Sequence, residues 1–179
     1  RARTGRLVVN AKVAGPLADG GTDAWAVDDD SSAAGSIRNY NYVPSPDVMC
    51  WARDAGLRVR MHARVADTPD NADGSIVLSF TNSQRLHELR VGSNDLGHPV
   101  ARLSGQSVTL SSLGSGYHTY EIVYDPTSRT ADLVVDGVER ISNNAGLAQN
   151  VSAPRIRFGS IYDAGTGQGK HDHRAEQGA

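Results

Sequence analysis

The chain has 179 residues and a mass of 19.0 kDa, with 39% hydrophobic and 21% charged residues. That is the composition of one globular domain large enough to bury a core. A formal charge of -2 and a pI near 6.3 give no overall drive onto nucleic acid or an anionic membrane. No apolar run reaches the roughly 20 residues of a membrane-spanning helix. The single cysteine, Cys50, excludes an intrachain disulfide and a multi-cysteine zinc site. All basic residues are Arg except Lys12 and Lys170, and Arg is the side chain suited to bidentate carboxylate contacts. The chain opens at Arg1 with no charged-then-apolar leader, and reads as a domain excised from a longer protein.

Period-two alternation dominates, and long helical periodicity is hard to find. Leu7, Val8 and Val9 predict a short buried first strand, and residues 24–28 a second. The strongest strand runs from Leu57 to Ala66. Leu57, Val59, Met61, Ala63 and Val65 face one way, and Arg58, Arg60, His62 and Arg64 the other. Asn71-Ala72-Asp73-Gly74 is a turn signal, and residues 75–81 return as a hairpin partner with Ile76, Leu78 and Phe80 together. Residues 85–91 fit a helical turn or a strand, and their neighbours favour strand. Short strands follow at 99–103 and 107–110.

From Tyr117 to Tyr124, alternation puts Tyr120, Ile122 and Tyr124 on one face and Thr119, Glu121 and Val123 opposite. A turn at Asp125-Pro126-Thr127-Ser128 leads into Thr130–Val135, with Ala131, Leu133 and Val135 inward. Asp136-Gly137 is a two-residue hairpin signal. Residues 155–160 form a last strand with Ile156 and Phe158 inward. Strands recurring about every 8–12 residues with turns between them predict an all-β, antiparallel two-sheet β-sandwich. No repeat of 20–50 residues is visible, which argues against a propeller or solenoid. Residues 163–179 hold no apolar residue larger than Ala. The expected organisation is therefore a sandwich over 1–162, then a polar loop and disordered tail over 163–179.

The segment from Tyr117 to Pro126 (YHTYEIVYDP), the ADLVVDG hairpin at 131–137 and the later RFGS at 157–160 carry a resemblance. They resemble the concanavalin A-like lectin/glucanase superfamily, and within it laminin-G-like modules and sialidase-associated lectin-like domains. The likeness covers residues 24–162. It implies a jelly roll and a carbohydrate-binding, lectin-like module belonging to a larger secreted or cell-surface protein such as a glycosidase. The implied partners are a glycan or polysaccharide and the other domains of that parent, with no nucleic acid and no membrane insertion. The implied location is extracellular or at the cell surface. Such sandwiches finish with a further apolar strand after the RFGS segment. Here the chain turns polar, which leaves that strand missing or replaced.

Two rival functions stay open: a glycoside hydrolase or polysaccharide lyase on the same sandwich, and a structural or protein-interaction spacer. Against catalysis, retaining hydrolysis needs two carboxyls about 5–5.5 Å apart. The Glu residues at 88, 121, 139 and 176 show no such spacing, and neither sialidase Asp-box repeats nor a Gly-x-Ser-x-Gly elbow occurs. Asp28-Asp29-Asp30 reads as a solvated turn. Calcium is the candidate cofactor, with Asp67, Asp70, Asn71 and Asp73 as oxygen donors, although a hairpin loop explains them equally. His118 reads as a hydrogen-bonded core or edge histidine, and Cys50 as a small buried hydrophobe.

The most distinctive feature is the stripe Arg58, Arg60, His62 and Arg64, whose side chains recur about every 6.5–7 Å along one sheet face. Two readings compete. One is a solvated outer face balanced across strands by Glu121 and Asp132. The other is a sheet face that docks a carboxylated sugar on arginine forks, with Tyr40 and Tyr42 beside it to stack on a sugar ring. Arg155 and Arg157 fall on the polar face of another strand.

Overall fold

In the computed structural model the described residues are 25–29, 37–67, 76–82, 84–94, 96–149, 155–161 and 169–176. The elements in order are β1 (Trp25–Asp29), β2 (Ile37–Tyr42), α1 (Pro46–Ala55), β3 (Leu57–Asp67), β4 (Ile76–Thr81), β5 (Arg85–Ser93) and β6 (Pro99–Leu103). There follow β7 (Gln106–Thr109), β8 (His118–Asp125), β9 (Thr130–Val135), β10 (Val138–Asn144), β11 (Leu147–Ala148), β12 (Arg155–Ile161) and β13 (Gly169–Glu176). The first sheet has the order β1-β13-β3-β8-β9-β10, and the second β2-β12-β4-β5-β6-β7, with β11 beside β5. The pairings are antiparallel. The chain crosses repeatedly between the sheets, which makes this the two-sheet antiparallel jelly roll expected from the alternation.

Alternation decides which side chains are enclosed. Val59, Met61 and Ala63 of β3, Tyr120 and Ile122 of β8, and Leu133 and Val135 of β9 are buried from the first sheet. Ile76, Leu78 and Phe80 of β4, Leu89 and Val91 of β5, and Leu103 of β6 come from the second. Together they form one apolar cluster, whose removal from water is the main stabilising term at about 25 cal/mol per Å². The β9–β10 hairpin turns on Asp136 and Gly137, with φ of 51° and 78°, the left-handed pair of a type I′ turn. Asp136 fixes this turn by accepting from Thr119 N at 2.8 Å.

Three elements depart from the sequence reading. Residues 46–55 form α1, with Ser45 at the N-cap position, Pro46 as first helical residue and Asp47 in the first turn. Gly56 ends the helix at φ 91°, and its amide donates to Ala52 O at 3.2 Å. A Cβ there would stand 2.8 Å from Tyr124 O, so only glycine lets the helix turn directly into β3. Residues 37–42 form β2, an edge strand of the second sheet that alternation did not mark.

The third departure corrects the expected loop and tail over 163–179. Gly169–Glu176 is a strand inserted between β1 and β3. It occupies the place of the closing strand that had looked missing. A strand with neighbours on both edges is held by main-chain hydrogen bonds, so it does not need the apolar alternation by which strands are recognised. The sandwich therefore extends past residue 162. Asp28 and Asp29 are likewise strand rather than turn. Leu7–Val9 and Asp30 lie outside the described residues. Among the described residues no helix is long and apolar enough to cross a membrane.

Candidate functional site

The arginine stripe lies on the outward face of the first sheet, as its alternation with Val59, Met61 and Ala63 requires. The register sets Arg60 opposite Glu121 and His62 opposite Thr119 on β8. Glu121 is buried, with 7% of its side chain exposed; it pairs with Arg60 Nε and lies 3.8 Å from Arg58 Nη1. His62 Nδ1 is 3.1 Å from Thr119 Oγ1. The His62 ring stacks on Tyr117 with centroids 5.3 Å apart and planes 7° apart. The Arg64 guanidinium stands over the same Tyr117 ring, 5.2 Å from its centroid, a cation–π contact. On the other edge of β3, the register sets Asp172 opposite Arg64 and Glu176 opposite Arg60.

Glu121 thus pairs with Arg60 and lies near Arg58. Glu121 is the partner expected from the sequence. Asp132, the other expected partner, lies opposite Val123 and accepts from Asn143 N at 2.7 Å. Tyr40 and Tyr42 do not join the stripe. They lie on β2 of the second sheet, opposite Phe158 and Ile156, and Tyr42 packs half-buried against the core. Adjacency in sequence was misleading because α1 intervenes and β2 and β3 belong to different sheets.

Of the calcium candidates, Asp70, Asn71 and Asp73 lie outside the described residues. Asp67 ends β3, its backbone paired with Lys170. Among the described residues no group of three His, Cys, Asp or Glu is placed to hold a metal ion. His118 is the hydrogen-bonded edge histidine expected. Its Nδ1 is 2.7 Å from Asp136 Oδ2 and its Nε2 is 2.9 Å from Gly114 O. Cys50 lies on α1.

A second polar cluster lies on the outward face of the second sheet. The registers Arg157↔Ser79 and Ser79↔Glu88 set three residues in a row across β12, β4 and β5. Neighbouring rows hold Val77↔Arg90↔Arg102↔Ser107, and Arg155↔Thr81. Val77, Ser79 and Thr81 are buried although they face away from the core. Each has one arginine directly across the sheet: Val77 faces Arg90, Ser79 faces Arg157 and Thr81 faces Arg155. Glu88 is buried and bonds Arg90 Nε at 2.7 Å. Its backbone is fixed on both sides: Glu88 N donates to Ser104 Oγ at 3.0 Å, and Ser104 N donates to Glu88 O at 2.8 Å. Arg102 Nε donates to Ser107 Oγ at 2.9 Å.

Arg157 Nε is buried and has no hydrogen-bond partner. Burial, and after it Arg155, holds this guanidinium below its ordinary pKa, while Glu88 pulls it back up. Arg155 and Arg157 were legible in the sequence as a polar face. Glu88, Arg90 and Arg102 were missed as members of the same face. The signal was there in the alternation of Glu88 and Arg90 along 85–91, once that segment is taken as strand.

No family model matches the chain, and no curated protein matches it. Among solved structures it is similar to a Crh5 transglycosylase in complex with NAG, at 13% identity and a TM-score of 0.43, over 91% of this chain and 72% of that one. Apo Crh5 transglycosylase gives 13% and 0.43, over 88% and 69%. A Bacillus licheniformis β-glucanase gives 13% and 0.41, over 87% and 79%. At these values the likeness carries over no site residue.

Proposed function

We propose that the chain is a carbohydrate-recognising module of concanavalin A-like type that binds its ligand without cutting it, within a larger secreted or cell-surface protein. The observation that supports this most is the state of the buried carboxylates. Among the described residues these are Glu88 and Glu121. They stand on the outward faces of different sheets, and each is bonded to an arginine. Retaining glycoside hydrolysis needs two carboxyls about 5–5.5 Å apart on one substrate, and this pair cannot meet. What the outward faces do offer is partly exposed guanidiniums, at Arg58, Arg60 and Arg90, donors that pair with sugar oxygens.

A glycan array probed with the purified chain, with and without chelator, tests the reading. Binding to a restricted set of glycans is expected, with affinity weak for one site and raised by multivalent display. New reducing ends or unsaturated ends released from a bound polysaccharide would replace the reading with an enzymatic one. A chain that binds no glycan would favour the spacer. Loss of binding with chelator would make calcium part of the site.

A further inference from the structure

After β10 the chain crosses the start of β5 as a thin strap, residues 145–149. Its hold on the sheet is light. β11 pairs two residues with β5, Leu147 with Leu86 and Ala148 with Arg85. Gln149 N donates to Gln84 O at 3.1 Å, Gly146 N to Asn144 Oδ1 at 2.9 Å, and Arg85 Nη1 to Gly146 O at 3.4 Å. Leu147, Ala148 and Gln149 are exposed. Beneath the strap lies His87, fully buried and with no hydrogen bond at either ring nitrogen. Gly146 shuts the ring in from the strap side: a Cβ there would stand 2.8 Å from His87 Cε1 and 3.0 Å from Nδ1. The rings of Phe80 on β4 and Tyr124 on β8 pack against its other sides.

We propose that residues 145–149 are an acid-released strap: His87 takes up a proton when the strap lifts off β5, so that acid opens this end of the sandwich while the two sheets stay packed. This device is independent of the carbohydrate reading. An imidazolium carries two N–H donors and a charge, and a buried charge without a partner is far more costly than a few exposed hydrogen bonds. The groups around the closed ring do not help it. Arg85, two residues away on the same face of β5, is itself a cation. The Tyr124 phenol oxygen already accepts from Asn82 Nδ2 at 3.1 Å. β4 presents Phe80 and the strap presents Gly146. Burial, and Arg85 after it, accordingly lower the pKa of His87 from 6.5 to about 4. Of the elements enclosing the ring, β4 and β8 are each paired along both edges, whereas the strap is held on one side by a two-residue ladder. The strap is therefore the part that gives way first.

Amide hydrogen exchange followed by NMR from pH 7 to pH 4.5, expressed as protection factors, tests this. The reporters are Gly146 and Gln149 in the strap, and Leu78 and Ile122 in the central strands β4 and β8. The strap amides are expected to be less protected than the central ones at every pH, because the strap opens by itself. Opening that puts one proton on a group of ordinary pKa 6.5 costs the strap protection about tenfold per pH unit between about pH 6 and pH 5. His87→Leu is expected to flatten that slope. Ala148→Gly, at an exposed strap position, is expected to lower strap protection about 2–5-fold and to leave Leu78 and Ile122 unchanged. Thermal melts at pH 7 confirm that each variant is folded.

Equal protection of strap and central amides at every pH overturns the proposal, since the strap would then open only as the whole chain unfolds. Weak strap protection with no pH slope overturns it as well, because the strap would fray without regard to His87. A slope that survives His87→Leu assigns the proton to another group and removes His87 from the device. Where His87→Leu does not fold, the slope in the unaltered chain and the effect of Ala148→Gly decide: a loss of protection shared equally by strap and central strands means that the strap is not a separate unit.

Discussion

His87 is the residue whose chemistry is least at ease with its position. It is fully buried, faces the core from β5, and packs against the rings of Phe80 and Tyr124 at 6.4 and 5.4 Å. Neither ring nitrogen has a hydrogen-bond partner. Burial, and after it Arg85, lowers its pKa from 6.5 to about 4, so the imidazole is neutral at pH 7. The unfolded chain takes up this proton near pH 6.5 and the folded chain only near pH 4. Stability is therefore full above pH 6.5 and falls as the pH drops toward 4, by up to about 3 kcal/mol from this group. Urea unfolding at pH 7 and pH 4.5 checks it, and His87→Leu, similar in volume and without a titrating group, is expected to flatten the dependence. Gly146 sits against the same ring. A Cβ there would meet His87 Cε1 at 2.8 Å and Leu86 O at 2.9 Å, at a φ of 70°. Gly146→Ala is expected to lower the unfolding free energy by about 1–3 kcal/mol. Neither feature was legible in the sequence, where His87 is one polar letter in an ambiguous segment and Gly146 one turn glycine among many.

At the scale of elements, what could be read depended on whether an element's signal is carried by its own residues. β3, β4, β8, β9 and β12 each bury one alternate set against the opposite sheet, and the alternation placed them almost to the residue. α1 was missed because its apolar spacing is weak, although Ser45-Pro46-Asp47 and Gly56 are start and stop signals that a cap-first reading would have caught. β13 was missed because its neighbours, β1 and β3, are distant in sequence. The tie between sheets was also hidden. Asn144, at the end of β10 in the first sheet, is buried and donates to Leu103 O at 2.9 Å and Gln106 Oε1 at 2.7 Å in the second. It also accepts from Gly146 N at 2.9 Å. Asn144→Leu leaves three polar groups without their partner, so a loss of about 1–3 kcal/mol is expected. Faster amide exchange at Gly146 should accompany it, and an unchanged melt would show that these contacts are replaced by water.

For the molecule as a whole, net charge is a poor guide to what its surfaces do. By pI alone the chain should pass through a sulfonate cation-exchange matrix at pH 7.5, since it carries a small negative charge. The strands of the first sheet hold nine carboxylates and those of the second only Glu88, while arginines are shared between them almost equally, and this gives the molecule a polarity that the sum conceals. A matrix samples one face at a time, over a distance set by the Debye length of about 10 Å at 0.1 M salt and about 30 Å at 0.01 M. The two sheets of a sandwich stand about 10 Å apart. At the lower ionic strength both are felt together; as salt approaches 0.1 M the nearer sheet dominates, until screening also weakens its own contacts. Retention on the sulfonate matrix is therefore expected to pass through a maximum at intermediate salt, instead of falling steadily as it does for a uniformly basic protein. The double substitution Arg102→Gln with Arg155→Gln should abolish that maximum, whereas Arg129→Asn on the first-sheet hairpin should not. Steady flow-through at every ionic strength would mean that the arginines of the second sheet are neutralised from within.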